Sequence, residues 1–342
     1  MRAARLWHRK PVSGFDRAAS AVVDGAILVG AGAVLAQGAV ILAGVPGAVS
    51  LGAESAVLEN SVLVGSAAAP VRIGRKVVFG HRCLVLGAEV GDLSEIGNGT
   101  ILMPGARLGR CVFTGEGTLV PAGMLVPDES VIVGRPARRV RGASADDLVR
   151  LAGLRGGDLT LPDTDARQPF HERPRRGHDM GKLYPYGSKR PQIADDAILF
   201  ESAEITGDVT VGAGSIVGAG VKIIGDSHGP VRIGRNVQIL ANAVLHLLPD
   251  NTLVVDDDVV IGPGAMIHGC HIGAGSVVEP GAIVCDHAVL GRGCHVLAGA
   301  VVKQRAHFGD LAVIDGFPAA QVASAATAPE RPAWALAKEL LR

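Results

Sequence analysis

An aliphatic residue returns every sixth position along most of this chain, and the whole row is written twice. A shift of 182 positions aligns the two copies without a gap from Val29/Val211 to Val140/Val322. The first row runs Val29, Leu35, Ile41, then Leu51, Val57, Leu63, then Ile73, Phe79, Val85, and resumes at Val90, Ile96, Leu102, Leu108. The second runs Val211, Val217, Ile223, then Ile233, Ile239, Leu245, then Val255, Ile261, Ile267, and resumes at Ile272, Val278, Val284, Leu290. Both contain one five-residue step at the same place, Val85 to Val90 and Ile267 to Ile272. A shared irregularity of this kind points to a tandem duplication.

A period of six matches neither the 3.6 of a helix nor the 2 of an ordinary strand, and it is a signature of a parallel β-helix. Each hexad makes one short strand whose aliphatic residue points inward. Three hexads close a triangular coil, and coils stack about 4.8 Å apart. Such coils bury their faces only against neighbours, so several are needed and the ends must be capped. The 47 glycines and the scarcity of aromatics suit a narrow core of Val, Ile and Leu. The spacing predicts an amphipathic helix over 144–154, with Ser144 as N-cap and Leu148, Leu151 and Leu154 on one face. A second helix is predicted over 329–342. The Pro-, Gly- and charge-rich stretch between the copies reads as a linker. The expected organisation is therefore a first β-helix domain at 1–155, a linker at 156–190 and a second β-helix domain at 191–342.

Formal net charge is zero and the repeats carry no basic block, which argues against a nucleic-acid partner. No uninterrupted apolar run reaches membrane length, and the first residues lack the apolar core of a signal peptide. The five cysteines (Cys83, Cys111, Cys270, Cys285, Cys294) are odd in number and show no paired spacing, as expected of reduced thiols in a cytoplasmic protein.

Both halves resemble γ-class carbonic anhydrases. The second half carries PQIADDAILFESAEITGDVTVG (191–212), NAVLH (242–246) and IHGCHIG (267–273), and the first carries VRIGRKVVFGHRCLVLG (71–87) and GRPARRVR (134–141). The resemblance implies a left-handed β-helix, an oligomer, and a metal held by three histidines from two neighbouring domains. The family's three slots hold Val64, His81 and Leu86 in the first half, and His246, Pro263 and His268 in the second. Neither half is complete, yet His246 and His268 are the pair that one side supplies in the family, and His81 is the single ligand that the other supplies. The resemblance thus implies one composite metal site of His81, His246 and His268, made by contact between unlike halves in a homo-oligomer. Three imidazoles suit Zn²⁺, with Fe²⁺ or Co²⁺ also accommodated. The implied chemistry is a lyase reaction, hydration of CO₂ (giving bicarbonate) or attack on a related small electrophile by water acidified on the metal.

The likeness fails at the family's Gln and Asp helper positions, which here hold Leu240 and Ala241, or Leu58 and Glu59. Gln238 and Glu59 are the candidate substitutes. His228, in the loop ahead of the VLH strand, is a candidate proton shuttle because imidazole titrates near neutrality. His271, His287, His295 and His307 read as surface or satisfied residues, and His8, His171 and His178 as solvated. Two other functions compete: a non-catalytic assembly scaffold with an eroded site, and a CoA-dependent acyltransferase on the same repeat.

Overall fold

The computed structural model describes residues 14–226, 228–337 and 341. The chain divides into two compact units, Met1–Arg173 and Pro174–Arg342. Each is a stack of parallel β-coils, and the six-residue row forms its core.

In the second unit the register runs coil to coil on three faces. One face stacks Val217, Ile239, Ile261, Val278, Val296 and Ile314. The next stacks Ile205, Ile223, Leu245, Ile267, Val284 and Val302. The third stacks Val211, Ile233, Val255, Ile272, Leu290 and Phe308. Apart from the half-buried Phe308, these side chains are almost fully removed from water. Each is worth about 1.5–3 kcal/mol of burial. The first unit repeats the scheme, with Leu35, Val57 and Phe79 in one register and Ile41, Leu63 and Val85 in another. Its long second strand, Val22–Gly30, spans two faces, so that two of its sheets merge.

Corner length varies in the same way in both units. The five-residue step turns at Gly87-Ala88 and at Gly269-Cys270. A Cβ on Gly87 would lie 2.4 Å from the Ala69 Cβ, and one on Gly269 would lie 2.2 Å from Asn251 Nδ2. Two successive corners are longer, so Ile223 and Ile233 are ten residues apart, as are Leu245 and Val255. These long corners, 226–230 and 247–252, carry the polar residues described below.

Each stack ends in an antiparallel hairpin, Ser130–Gly134 with Ala137–Gly142 and Ala312–Gly316 with Ala319–Ser324. Helix α1 (Ala145–Leu154) follows the first hairpin, begun by a capping box between Ser144 and Asp147. Its Leu151 is buried with Leu93 and Cys111. The second predicted helix is not found where it is described: residues 329–337 are irregular, and 338–340 and 342 lie outside the described residues. Pro332, which cannot donate a backbone hydrogen bond, stands in that stretch.

The 156–190 stretch is not a free linker. Arg167–Glu172 pairs antiparallel with Gly25–Gly30 of the first unit. Arg176–Gly177 and Lys182–Tyr184 open two sheets of the second unit. Its charges are what tie it down. Asp165 accepts the Ala53 N–H at 3.2 Å, and the Lys76 ammonium lies 3.3 Å from the Asp158 carboxylate. No helix among the described residues is long and apolar enough to cross a membrane.

Candidate metal centre

The register that stacks Leu245 on Ile267 also stacks the residues that follow them. His246 donates its backbone N–H to Ile267 O at 2.9 Å, and His268 donates its own to Val284 O at 2.8 Å. The two imidazoles therefore stand at one corner on successive coils, edge to face, with ring centroids 6.2 Å apart. Both are half-buried. His268 Nδ1 is a buried polar atom with no hydrogen-bond partner among the described residues. Its nearest charge is Asp286 Oδ2 at 3.7 Å.

Asp286 is itself 8% exposed and holds the second long corner. Its Oδ1 accepts the Leu248 N–H at 3.1 Å and an Asn251 amide hydrogen at 3.2 Å. The first long corner brings in His228, whose ring lies 5.5 Å from that of His246. His228 Nδ1 is 3.1 Å from the Leu247 carbonyl oxygen, which accepts its proton and leaves Nε2 as the lone-pair nitrogen. Asp226 Oδ1 accepts the His228 backbone N–H at 3.1 Å. The ligand atoms of Asp226, His228 and His246 all lie within 4.8 Å of one another. The imidazoles of His228 and His246 and the Asp226 carboxylate thus gather at one corner of the second unit, with His268 on the next coil, and a donor set of this kind fits a divalent transition metal. The pairing of His228 with His246 was not foreseen as a ligand relation. The signal was the ten-residue step, which loops His228 out beside the VLH strand.

In the first unit His81 is exposed, and its Nδ1 stands 2.9 Å from Glu59 Oε2 on the preceding coil. Its backbone N–H donates to Asn98 Oδ1 at 2.7 Å. A carboxylate at Nδ1 leaves Nε2 free, the arrangement of a ligand histidine with an orienting partner. Glu59 therefore serves as a partner of His81. The slots Val64 and Leu86 are buried and apolar.

Gln238, the candidate substitute helper, is held by the backbone. It lies on a different face from His246, fully buried, and both ends of its amide are taken by the backbone of Leu336, at 2.8 and 3.0 Å. His271 lies 3.0 Å from Asp256 and His295 lies 2.8 Å from Glu279, away from this corner. Burial pushes the Cys83 thiol up to about 12 and raises Cys270 as well, so neither offers a thiolate near neutrality.

The chain is a tandem hexapeptide-repeat β-helix protein, with relatives named for carbonic anhydrase and for transferases. It is 35% identical to a carbonic anhydrase of Geobacillus kaustophilus over 109 residues, 32% of this chain and 59% of that protein. It is 39% identical to the uncharacterized transferase YtoA of Bacillus subtilis over 90 residues, 26% of this chain and 52% of that one. The chain thus spans a little over half the length of either relative. Among solved structures, a hexapeptide transferase family protein from Anaplasma phagocytophilum is similar at 25% identity and a TM-score of 0.40, covering 47% of this chain and 88% of that one. No protein-family model matches the chain.

Proposed function

We propose that the protein is a metal-dependent hydratase or hydrolase of the γ-carbonic anhydrase type, acting on CO₂ or a related small electrophile. The observation that carries this reading is the pair His246 and His268. They are stacked on successive coils, and a buried ring nitrogen of His268 is left without a partner. With a proton on Nδ1, towards the Asp286 carboxylate at 3.7 Å, the His268 imidazole keeps its Nε2 lone pair for a cation. His81 is the third imidazole of the proposal. Zn²⁺ is the expected metal, with Fe²⁺ or Co²⁺ as alternatives. When bound, such a metal supplies a Lewis acid that acidifies water into the neutral range.

The residues of the chain do the remaining work. Neutral imidazoles at His246 and His268 offer lone pairs, and the Leu247 carbonyl fixes the proton of His228 on Nδ1. Asp286 holds the long corner in place beside His268. The apolar Leu240 and Ala241, both buried, stand where the family resemblance implied polar helpers. The proposal places the protein in the cytoplasm, as a homo-oligomer with its thiols reduced.

The test is metal per chain in the wild type, His246→Ala and His81→Ala, followed by CO₂ hydration and ester hydrolysis. About one metal per chain, lost in His246→Ala together with activity, supports the reading. Loss in His81→Ala as well supports His81 as the third ligand, whereas retention there removes His81 from the site. A metal-free protein inactive in both assays refutes it. The relative named as an uncharacterized transferase favours a second reading, acyl transfer from CoA, for which saturable acetyl-CoA binding is the check.

A further inference from the structure

We infer that Asp226 and His228 are metal ligands alongside His246, so that the second unit holds a divalent transition metal with its own donors. This rests on the reading that the corner at His246 binds metal, and it adds two ligands absent from the slots read in the sequence. Four observations carry it. First, the ligand atoms of the three residues converge within 4.8 Å. In a tetrahedral site with bonds of about 2.0–2.1 Å, neighbouring ligand atoms are about 3.3 Å apart. Binding therefore requires the three donors to draw together on the ion.

Second, the proton of His228 is held on Nδ1 by a backbone carbonyl, which leaves Nε2 with the lone pair a metal needs. Third, the corner bearing His228 is built. Asp226 binds the His228 N–H, and Gly229 packs so closely that a Cβ there would lie 2.0 Å from the Asn251 carbonyl oxygen. Fourth, the set belongs to one copy of the repeat. The positions 182 residues earlier hold Gly44, Pro46 and Val64, none of which offers a ligating side chain. Two imidazoles and one carboxylate form a donor set suited to Zn²⁺ or Fe²⁺, and they leave coordination positions open. His268 lies one ring further along the stack, its centroid 6.2 Å from that of His246.

The experiment is Co²⁺ titration of the full-length, chelator-stripped protein, read by the visible absorption of the bound ion and by equilibrium dialysis. His228→Ala, Asp226→Asn and His246→Ala are compared with wild type and with His271→Ala, whose histidine stands elsewhere. Circular dichroism and thermal melting check that each variant folds. The inference expects about one Co²⁺ per wild-type or His271→Ala chain, and affinity weakened more than about tenfold in folded His228→Ala and Asp226→Asn. Wild-type affinity and spectrum in His228→Ala, with binding lost in His246→Ala, overturn the inference and leave the proposed function standing. No Co²⁺ bound by the wild type overturns both.

Discussion

Asp286 joins a backbone N–H, an amide side chain and the neighbourhood of a histidine in one buried carboxylate. Its removal strands the Leu248 N–H and loosens the corner beside His268. Asp286→Ala is expected to cost about 1–3 kcal/mol of stability and to weaken metal binding about 10–100-fold, measured by thermal melting and equilibrium dialysis. Asp208 makes a prediction about acid. The Arg232 guanidinium, 2.7 Å away, holds its carboxyl below the usual 3.8. A carboxylate depressed in the folded state stabilises fully above its ordinary value and loses that contribution as the pH falls through the folded one. Wild type should therefore melt above Asp208→Asn at neutral pH by a gap worth about 0.5–1 kcal/mol, and the gap should shrink as the pH falls below the ordinary carboxylate value of 3.8. A gap independent of pH would remove the ion pair as its cause. The stacked positions of His246 and His268 were legible because they sit at fixed places in a regular period. Asp286 was not, because it meets its partners across 35–38 residues of sequence, through coil stacking alone. The partner of Gln238 was hidden for a similar reason: Leu336 lies 98 residues on, beyond the end of the repeat.

The hexad strands followed directly from their period, since one inward aliphatic residue per six positions leaves few other ways to bury it. The corners were less legible, because a corner is defined by what it avoids. Gly229→Ala tests this, since the added methyl meets the Asn251 carbonyl oxygen at 2.0 Å and the Leu247 side chain at 2.9 Å. It is expected to cost about 1–3 kcal/mol, read by thermal melting, and to weaken metal binding if His228 is a ligand. Helix α1 was legible from its cap, and Ser144→Ala is expected to cost about 1 kcal/mol in denaturant unfolding. The stretch from 156 to 190 misled because its composition is that of a linker. Its acidic and basic residues find partners on the coils instead, and composition carries no trace of such pairing.

Each unit is a pile of similar layers, and each layer meets only the ones above and below it. A cavity in one pile should therefore be felt within that pile. Phe79, fully buried in the first unit, is a suitable probe. Phe79→Ala is expected to remove about 3–5 kcal/mol from the first unit and to lower one of two calorimetric transitions while the other stays put. A single transition that moves as a whole would show the two units unfolding together. The layered plan also raises a problem of termination. A pile of parallel strands resembles the growing face of a crystal, since its last layer offers the next comer what it offered the previous one. In both units the final strand doubles back on itself, Ser130–Gly134 with Ala137–Gly142 and Ala312–Gly316 with Ala319–Ser324. A strand running the opposite way is a poor template for another parallel layer, so each hairpin acts as a chain terminator, keeping the molecule finite where its repeat would otherwise seed a fibre.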